Sequence, residues 1–554
     1  MRVRVANDRC IRHTGRMPPR LPTVWSRLPR SLRWGFQILV AGGIVISACS
    51  AQPDAGPEAD TTPATSAAPE PTVAPSAAPT IAETTTSAAP TTAAATTTEA
   101  PADTADDDTV AFAADVKPII EANCASCHTG DGPGVAHLPL GTAGEVQAVS
   151  FEITAAARVG YMPPWPAGDG EVAFHDDRRL TDEQLAVIEA WAATGGEIDV
   201  PATTPIEPTA QAVTPIERDV VMVGQPYKGS TDLRDDYRCQ IYDPNLGEPA
   251  FLQGYGLEAD RTEVVHHALL FYAEASTRAA AEQADAADPA VGWECGGLAG
   301  FAGDSGVTRQ IMSWGPGQDP TVLPADTGIP LQPGDFFVTQ IHYHYETEWN
   351  DLAPDESAIV IDLASDEVIA AAGGELDPIE LTLYLGPAEI PCSTGEVGPL
   401  CDRSAMSAQL IDVWGPTAGR IADFLMFQCG ATVEDFAGMT NGIASSTCDL
   451  AATPGQIVSL WGHMHEIGSS FRMTLNPGTA EERVLLDIPN WQFDWQLDYR
   501  PIETIVLEAD DTIRVECTWD RSKLEDGAEP RYIMWAEGTE DEMCYSQIVT
   551  RPAP

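Results

Sequence analysis

The chain has 554 residues, 44% of them hydrophobic and 7% aromatic. That length exceeds what one hydrophobic core holds, so about three domains are expected. Thirty Lys and Arg against 83 Asp and Glu leave a formal charge of −53, which excludes a generic nucleic-acid binder and charge-driven docking on an anionic membrane. The first 48 residues carry nine Arg and one acid, so the remainder is more acidic still. Such a surface favours solubility and suits a salty medium.

The basic leader runs into an apolar stretch, Trp34 to Ala48. Its length fits a signal-peptide core and is short for a spanning helix. It closes on Ile46-Ser47-Ala48-Cys49, which resembles a bacterial lipobox, with Cys49 lipidated as the first mature residue. An uncleaved anchor helix is the alternative, and Met17 offers a second start. Either reading puts the rest outside the cytoplasm, where disulfides persist. Residues 1–49 are therefore expected to export the chain and anchor it to the outer face of a bacterial membrane, in the periplasm or at the cell surface. Residues 50–109 are almost entirely Ala, Thr, Pro, Ser and acids, with no hydrophobic period. They read as a disordered tether, reaching roughly 45 Å as a coil.

Residues 110–200 read as a small all-α haem domain. Cys124-Ala125-Ser126-Cys127-His128 is the CxxCH signature of c-type haem attachment. Two cysteines so spaced form thioethers to one porphyrin, and the adjoining His128 binds its iron. An amphipathic stretch, Phe112 to Asn123, precedes the motif. Thr181 has the position of an N-cap, and Leu185, Ile188 and Trp191 follow at helical spacing up to Gly195-Gly196. The stretch resembles a small cytochrome c. Met162, in Tyr161-Met162-Pro163-Pro164-Trp165, is the expected second axial ligand, with His137 and His175 as rivals. Met/His ligation raises the haem potential and suits electron delivery.

From about residue 205 short alternating runs appear between Gly, Pro and Asp turns, at Glu263–Tyr272, Asp335–Tyr345, Ala358–Leu363, Gln456–Thr474 and Thr512–Trp519. The pattern predicts antiparallel sandwiches, and the length suits two. Six of the ten histidines fall here in three pairs: His266-His267, His342 with His344, and His463 with His465. Imidazole clusters without a nearby nucleophile point to metal. Residues i and i+2 of a strand share a face, so His463 and His465 point together and Met464 points away. His266 and His267 point apart unless a bulge re-aims one.

The order HH, HYH, HMH and then Asp541-Glu542-Met543-Cys544 resembles the copper type II ascorbate-dependent monooxygenases, which include the peptide-amidating and dopamine-hydroxylating enzymes. The likeness runs from about Val220 to the C-terminus, through Asp236-Tyr237-Arg238-Cys239, Val265-His266-His267-Ala268-Leu269-Leu270-Phe271, Gln340-Ile341-His342-Tyr343 and Glu542-Met543-Cys544. It implies two jelly-roll-like copper sandwiches, 201–372 and 373–554, with a boundary near Ala370–Glu375 and the metals facing each other across a solvent-filled cleft. His266, His267 and His342 would hold the copper that stores and passes an electron. His463, His465 and Met543 would hold the catalytic copper that meets O2 and substrate. Imidazole accepts both copper oxidation states and a thioether favours Cu(I); zinc is the main metal alternative. His344 is left over.

The resemblance also implies bridges Cys239–Cys295 and Cys517–Cys544. Cys392, Cys401, Cys429 and Cys448 remain, and proximity suggests 392–401 and 429–448 among three possible pairings. The implied reaction is hydroxylation of a C–H bond of a small organic substrate by O2. The two electrons would come from ascorbate, a redox protein or the fused haem. The family's cationic carboxylate clamp is missing, because Trp461, Tyr545 and Gln547 stand in its places. Peptide amidation is therefore not expected, and Trp461 could instead offer an aromatic wall to an apolar substrate. A non-catalytic copper and haem electron-transfer lipoprotein is the competing reading. An adhesive sandwich with incidental histidines is a further one. A hydrolase has no G-x-S-x-G to support it.

Overall fold

The computed structural model describes residues 110–553, apart from 131, 136, 210–215, 230–232, 297–298, 302–307, 346–352 and 526. Cys10, Cys49, the leader and the tether lie outside the described residues. The rest is mostly antiparallel sheet with about ten helices, a multidomain fold rich in β-sandwich.

The first region is helical. A π-turn, Phe112–Val116, runs into the helix Lys117–Asn123, with Pro118 in its first turn where a missing N–H costs nothing. The helices Ala125–His128, Ala143–Ala148 and Ser150–Arg158 follow. The helix Asp182–Ala193 opens with a full capping box between Thr181 and Gln184 and stops at Gly195 and Gly196, both at positive φ. Phe112, Val116, Ile120, Val146, Ile188 and Trp191 form this region's own core.

Two sheets follow. One has the order Trp293–Glu294, Asp235–Tyr242, Phe336–His344, Val265–Ala273, Thr308–Trp314. The other orders Val220–Val223, Ala358–Leu363, Ala250–Glu258 and Thr321–Val322. Leu252, Tyr255, Leu270, Phe337, Ile341 and Ile359 fill the space between them. The last region repeats the plan. One sheet orders Glu380–Gly386, Cys544–Arg551, Gly455–His463, Val506–Leu507, and the other Ile443–Ala451, Thr512–Asp520, Gly468–Leu475, Arg483–Ile488. The expected run Gln456–Thr474 is thus two strands joined by the turn that carries His465.

The β region also contains helices that strand patterning did not suggest. Arg403–Trp414 and Ala418–Gln428 form a pair in the last region, and Arg278–Ala287 lies in the first sandwich. Asp402 caps the first by accepting from the Ala405 N–H, and its Ala, Met and Leu content favours helix.

Among the described residues four disulfides close the fold: Cys239–Cys295, Cys392–Cys401, Cys429–Cys448 and Cys517–Cys544. Four bridges mark an oxidising, exported environment. Among the described residues no helix is long and apolar enough to cross a membrane.

Candidate metal centre

A one-residue bulge builds the first histidine group. Val265 pairs with Tyr343 but His267 pairs with His342, so His266 is the extra residue in its strand. The bulge turns both adjacent rings to one side. His266, His267 and His342 each offer a nitrogen within 4.8 Å of the others. The His342 Nδ1 lies 2.9 Å from the His267 Nε2, while its Nε2 donates to the Asp235 Oδ1 at 2.9 Å. Both nitrogens of His266 and the Nδ1 of His267 are buried with no hydrogen-bond partner. Unpaired buried imidazole nitrogens are costly. Three on adjoining rings fit a site that an ion completes. Burial, and then the neighbouring imidazoles, push His266 and His267 well below the ordinary histidine range, so their lone pairs are free.

His344 shares the strand face of His342, and its Nδ1 donates to the same Asp235 Oδ1 at 3.0 Å. Asp235, His342 and His344 thus form a second, overlapping group that could hold an ion. Burial opposes the Asp235 charge, but hydrogen bonds from His342 and His344 hold its carboxyl far below the usual carboxylate range. Tyr237 stacks on His342, with ring centroids 4.2 Å apart.

His463 ends its strand and His465 sits just beyond, with ring centroids 5.0 Å apart. The Gln496 Nε2 donates to the Phe493 carbonyl, so its Oε1 faces His463 and accepts from Nδ1. The His465 Nδ1 donates to the Asp541 carbonyl at 3.1 Å. Both rings therefore keep Nε2 as a free acceptor, the tautomer a metal ligand needs. Burial brings His463 down to about 4 and His465 to about 3. His463 pairs with Tyr545 across the ladder, and Met543 immediately precedes the Tyr545 strand. Met543 is buried. The buried Glu542 accepts from the backbone N–H groups of His465, Ile467 and Met543 and from the Trp519 indole, so one carboxylate ties the His465 turn to the Met543 strand. The Cys517–Cys544 bridge anchors the same strand.

The two groups touch. The His267 ring lies 5.2 Å from that of His463. A solvent-filled cleft between the two groups was expected, and this contact corrects that expectation. Phe493 stacks on His266 at 4.1 Å, and the Tyr237 hydroxyl donates to the Glu537 carbonyl, so segments of the last region close over the first. Trp461 is buried and stacks on His463 at 5.3 Å, with Tyr545 edge-on at 5.7 Å. The Tyr545 hydroxyl donates to the Gln310 Oε1, and the Gln547 Oε1 accepts from Ser313 and Gln310. These three residues meet at a contact between the sandwiches. An open-sided cleft lies elsewhere, lined by Trp165, His175, Arg178, Asp319, Leu497 and Asp498.

In the helical region the His128 Nδ1 donates to the Leu138 carbonyl at 2.7 Å, which frees Nε2. The chain passes so close at Gly134 that an added Cβ would lie 2.7 Å from the His128 ring. Cys124 and Cys127 carry free thiols at either end of one helical turn. These features fit a covalently held haem. Met162 is half-buried, while His137 and His175 are exposed, and the His175 N–H is tied to the Arg500 carbonyl.

Asp235, Gln496, Phe493 and Glu542 had no assigned role from sequence. Only Glu542 had a signal, its place beside Met543.

No family model and no curated protein matches the chain. Among solved structures it is similar to a mutant Bacillus subtilis oxalate decarboxylase, at 8% identity over 57% of this chain and 69% of that one, with a TM-score of 0.11. A Lactobacillus farciminis oxalate decarboxylase formate complex is similar at 6% identity over 57% and 77%, also with a TM-score of 0.11. Likeness at that level carries no argument about activity.

Proposed function

We propose that the chain is a copper-dependent monooxygenase of the type II ascorbate-dependent kind, exported and held to a bacterial membrane by a lipid on Cys49. It hydroxylates a C–H bond of a small organic substrate: one atom of O2 enters the product, and the other leaves as water with two electrons and two protons. The observation that carries this reading is the bulged His266-His267 pair beside His342, with three buried ring nitrogens lacking any partner. His266, His267 and His342 would hold one copper, and His463, His465 and Met543 the other. Bound copper supplies the one-electron redox chemistry. The protein's part is to keep these imidazoles neutral, to fix their tautomers through Asp235, Gln496 and the Asp541 carbonyl, and to exclude water by burial. Cys124, Cys127, His128 and Met162 would hold a c-type haem that, like ascorbate, supplies electrons.

The test is metal and haem quantification on the purified full chain, with EPR before and after ascorbate. The expected result is two coppers and one haem per chain, with His266→Ala and His463→Ala each losing one copper. A chain that takes up haem but no copper sinks the proposal.

A non-catalytic copper and haem electron-transfer protein is the second reading. One observation favours it: Trp461, Tyr545 and Gln547 are engaged with one another or with Gln310 and Ser313. Oxygen uptake coupled to a hydroxylated product would exclude it.

A further inference from the structure

One short segment, Trp491 to Tyr499, packs against both the histidine groups and the loop that carries Met162. On its inner side it braces three histidines: the Trp491 indole donates to the His465 carbonyl at 3.1 Å, Phe493 stacks on His266, and Gln496 accepts from the His463 Nδ1. On its outer side it carries the loop that holds Met162. Tyr161 packs its ring on Trp495 with centroids 5.6 Å apart, and its hydroxyl donates to the Asp494 Oδ2 at 3.1 Å. Trp165 meets Tyr499 edge-on at 5.3 Å. The residue expected to ligate the haem iron is thus clamped between two aromatic contacts to a segment that ends on the metal-site rings.

Resting on the copper and haem reading above, we propose that Trp491–Tyr499 is the path by which an electron passes from haem to copper. The electron crosses at the Tyr161–Trp495 contact and leaves through Gln496 to His463 and through Phe493 to His266. In each transfer one ferrous haem becomes ferric and one cupric ion becomes cuprous; no bond forms or breaks and no proton moves. An external donor re-reduces the haem between transfers, so two transfers supply the two electrons of one turnover. Electron transfer falls steeply with the gap between donor and acceptor, and contacting rings shorten that gap. Tyr161 is 36% exposed, so its contact with Trp495 is no part of a packed core and can be removed at little cost in stability.

The experiment uses the full chain loaded with haem and Cu(II). The haem is reduced without oxygen, and its reoxidation is followed by stopped-flow absorbance. Tyr161→Ala and Trp495→Leu are expected to slow reoxidation about tenfold, on the order of 1.4 kcal/mol of barrier. Tyr161→Phe keeps the ring and is expected to match the parent. The haem spectrum and copper content are expected to stay unchanged in all three. Parent-like rates in both ring-deletion variants overturn the path while leaving the relay standing. A slowed rate with an altered haem spectrum also overturns it, since Tyr161 would then act by holding Met162. If the parent haem never reoxidises although copper is bound, the relay falls and the path with it.

Discussion

Asp235 serves two masters within one carboxylate. Its Oδ1 accepts from His342 and His344, and its Oδ2 accepts from the N–H and hydroxyl of Thr539, four residues before Met543. It therefore orients a ligand of one histidine group and anchors the chain entering the other. Asp235→Asn replaces one acceptor oxygen with a donor, so either the histidines or Thr539 lose a partner. Copper affinity should fall about 10–100-fold, the usual cost of losing a group that orients a ligand. Competition against a Cu(I) chelator measures this, and an unchanged affinity would deny Asp235 the role. The histidines themselves predict an unusual pH response. An ordinary imbedded site built from unshifted imidazoles loses metal below pH 6.5, at about 1.4 kcal/mol per pH unit for each ring that protonates. His463 and His465 titrate only near 4 and 3 because burial disfavours their charged forms. Protons therefore do not compete at these two rings until the pH approaches 4. Copper binding to His266→Ala, which retains only the second group, should stay flat from pH 7 to 5 by titration. Weakening that begins at 6.5 would show these rings to be more hydrated than their burial indicates.

At the scale of elements, much of this was legible because the signals were local. The N-cap at Thr181, the glycines at 195 and 196, and the strands around His267, His342 and Ala358 follow from side-chain period and turn chemistry. The bulge was posed by the HH pair itself, since adjacent strand residues cannot otherwise share a face. What stayed hidden depends on distant partners. The helices Arg403–Trp414 and Ala418–Gln428 sit within a region whose flanking alternating runs predict strand. Asp235 was one acid among 83, and nothing local joined it to His342, more than a hundred positions away. Gln496 and Phe493 lie in a segment with no regular strand, and only tertiary packing brings it onto the rings.

For the molecule as a whole, the helical region is not a detachable module on a string. Its loop 160–178 leaves its own core and enters that of the last sandwich: Trp165, Ala167 and Val172 are buried there with Leu460, Leu497 and Tyr499. Backbone bonds follow the same route, from Gly168 N–H to the Asp487 carbonyl, His175 N–H to the Arg500 carbonyl, and Ile502 N–H to the Ala173 carbonyl. Arg178 donates to the Gly317 carbonyl and pairs with Asp319, which ties in the first sandwich as well. A chain beginning at residue 201 would lose all of these together. Loss of Trp165 alone is comparable to a large core truncation, about 3–5 kcal/mol, a large share of the roughly 5–15 kcal/mol that holds a typical domain. The shortened chain should melt well below the full one and expose apolar surface around Tyr499, both readable by calorimetry and dye binding. If instead it melts at the same temperature and binds no dye, the two regions are independent, and the close contact at Trp495 has no mechanical support.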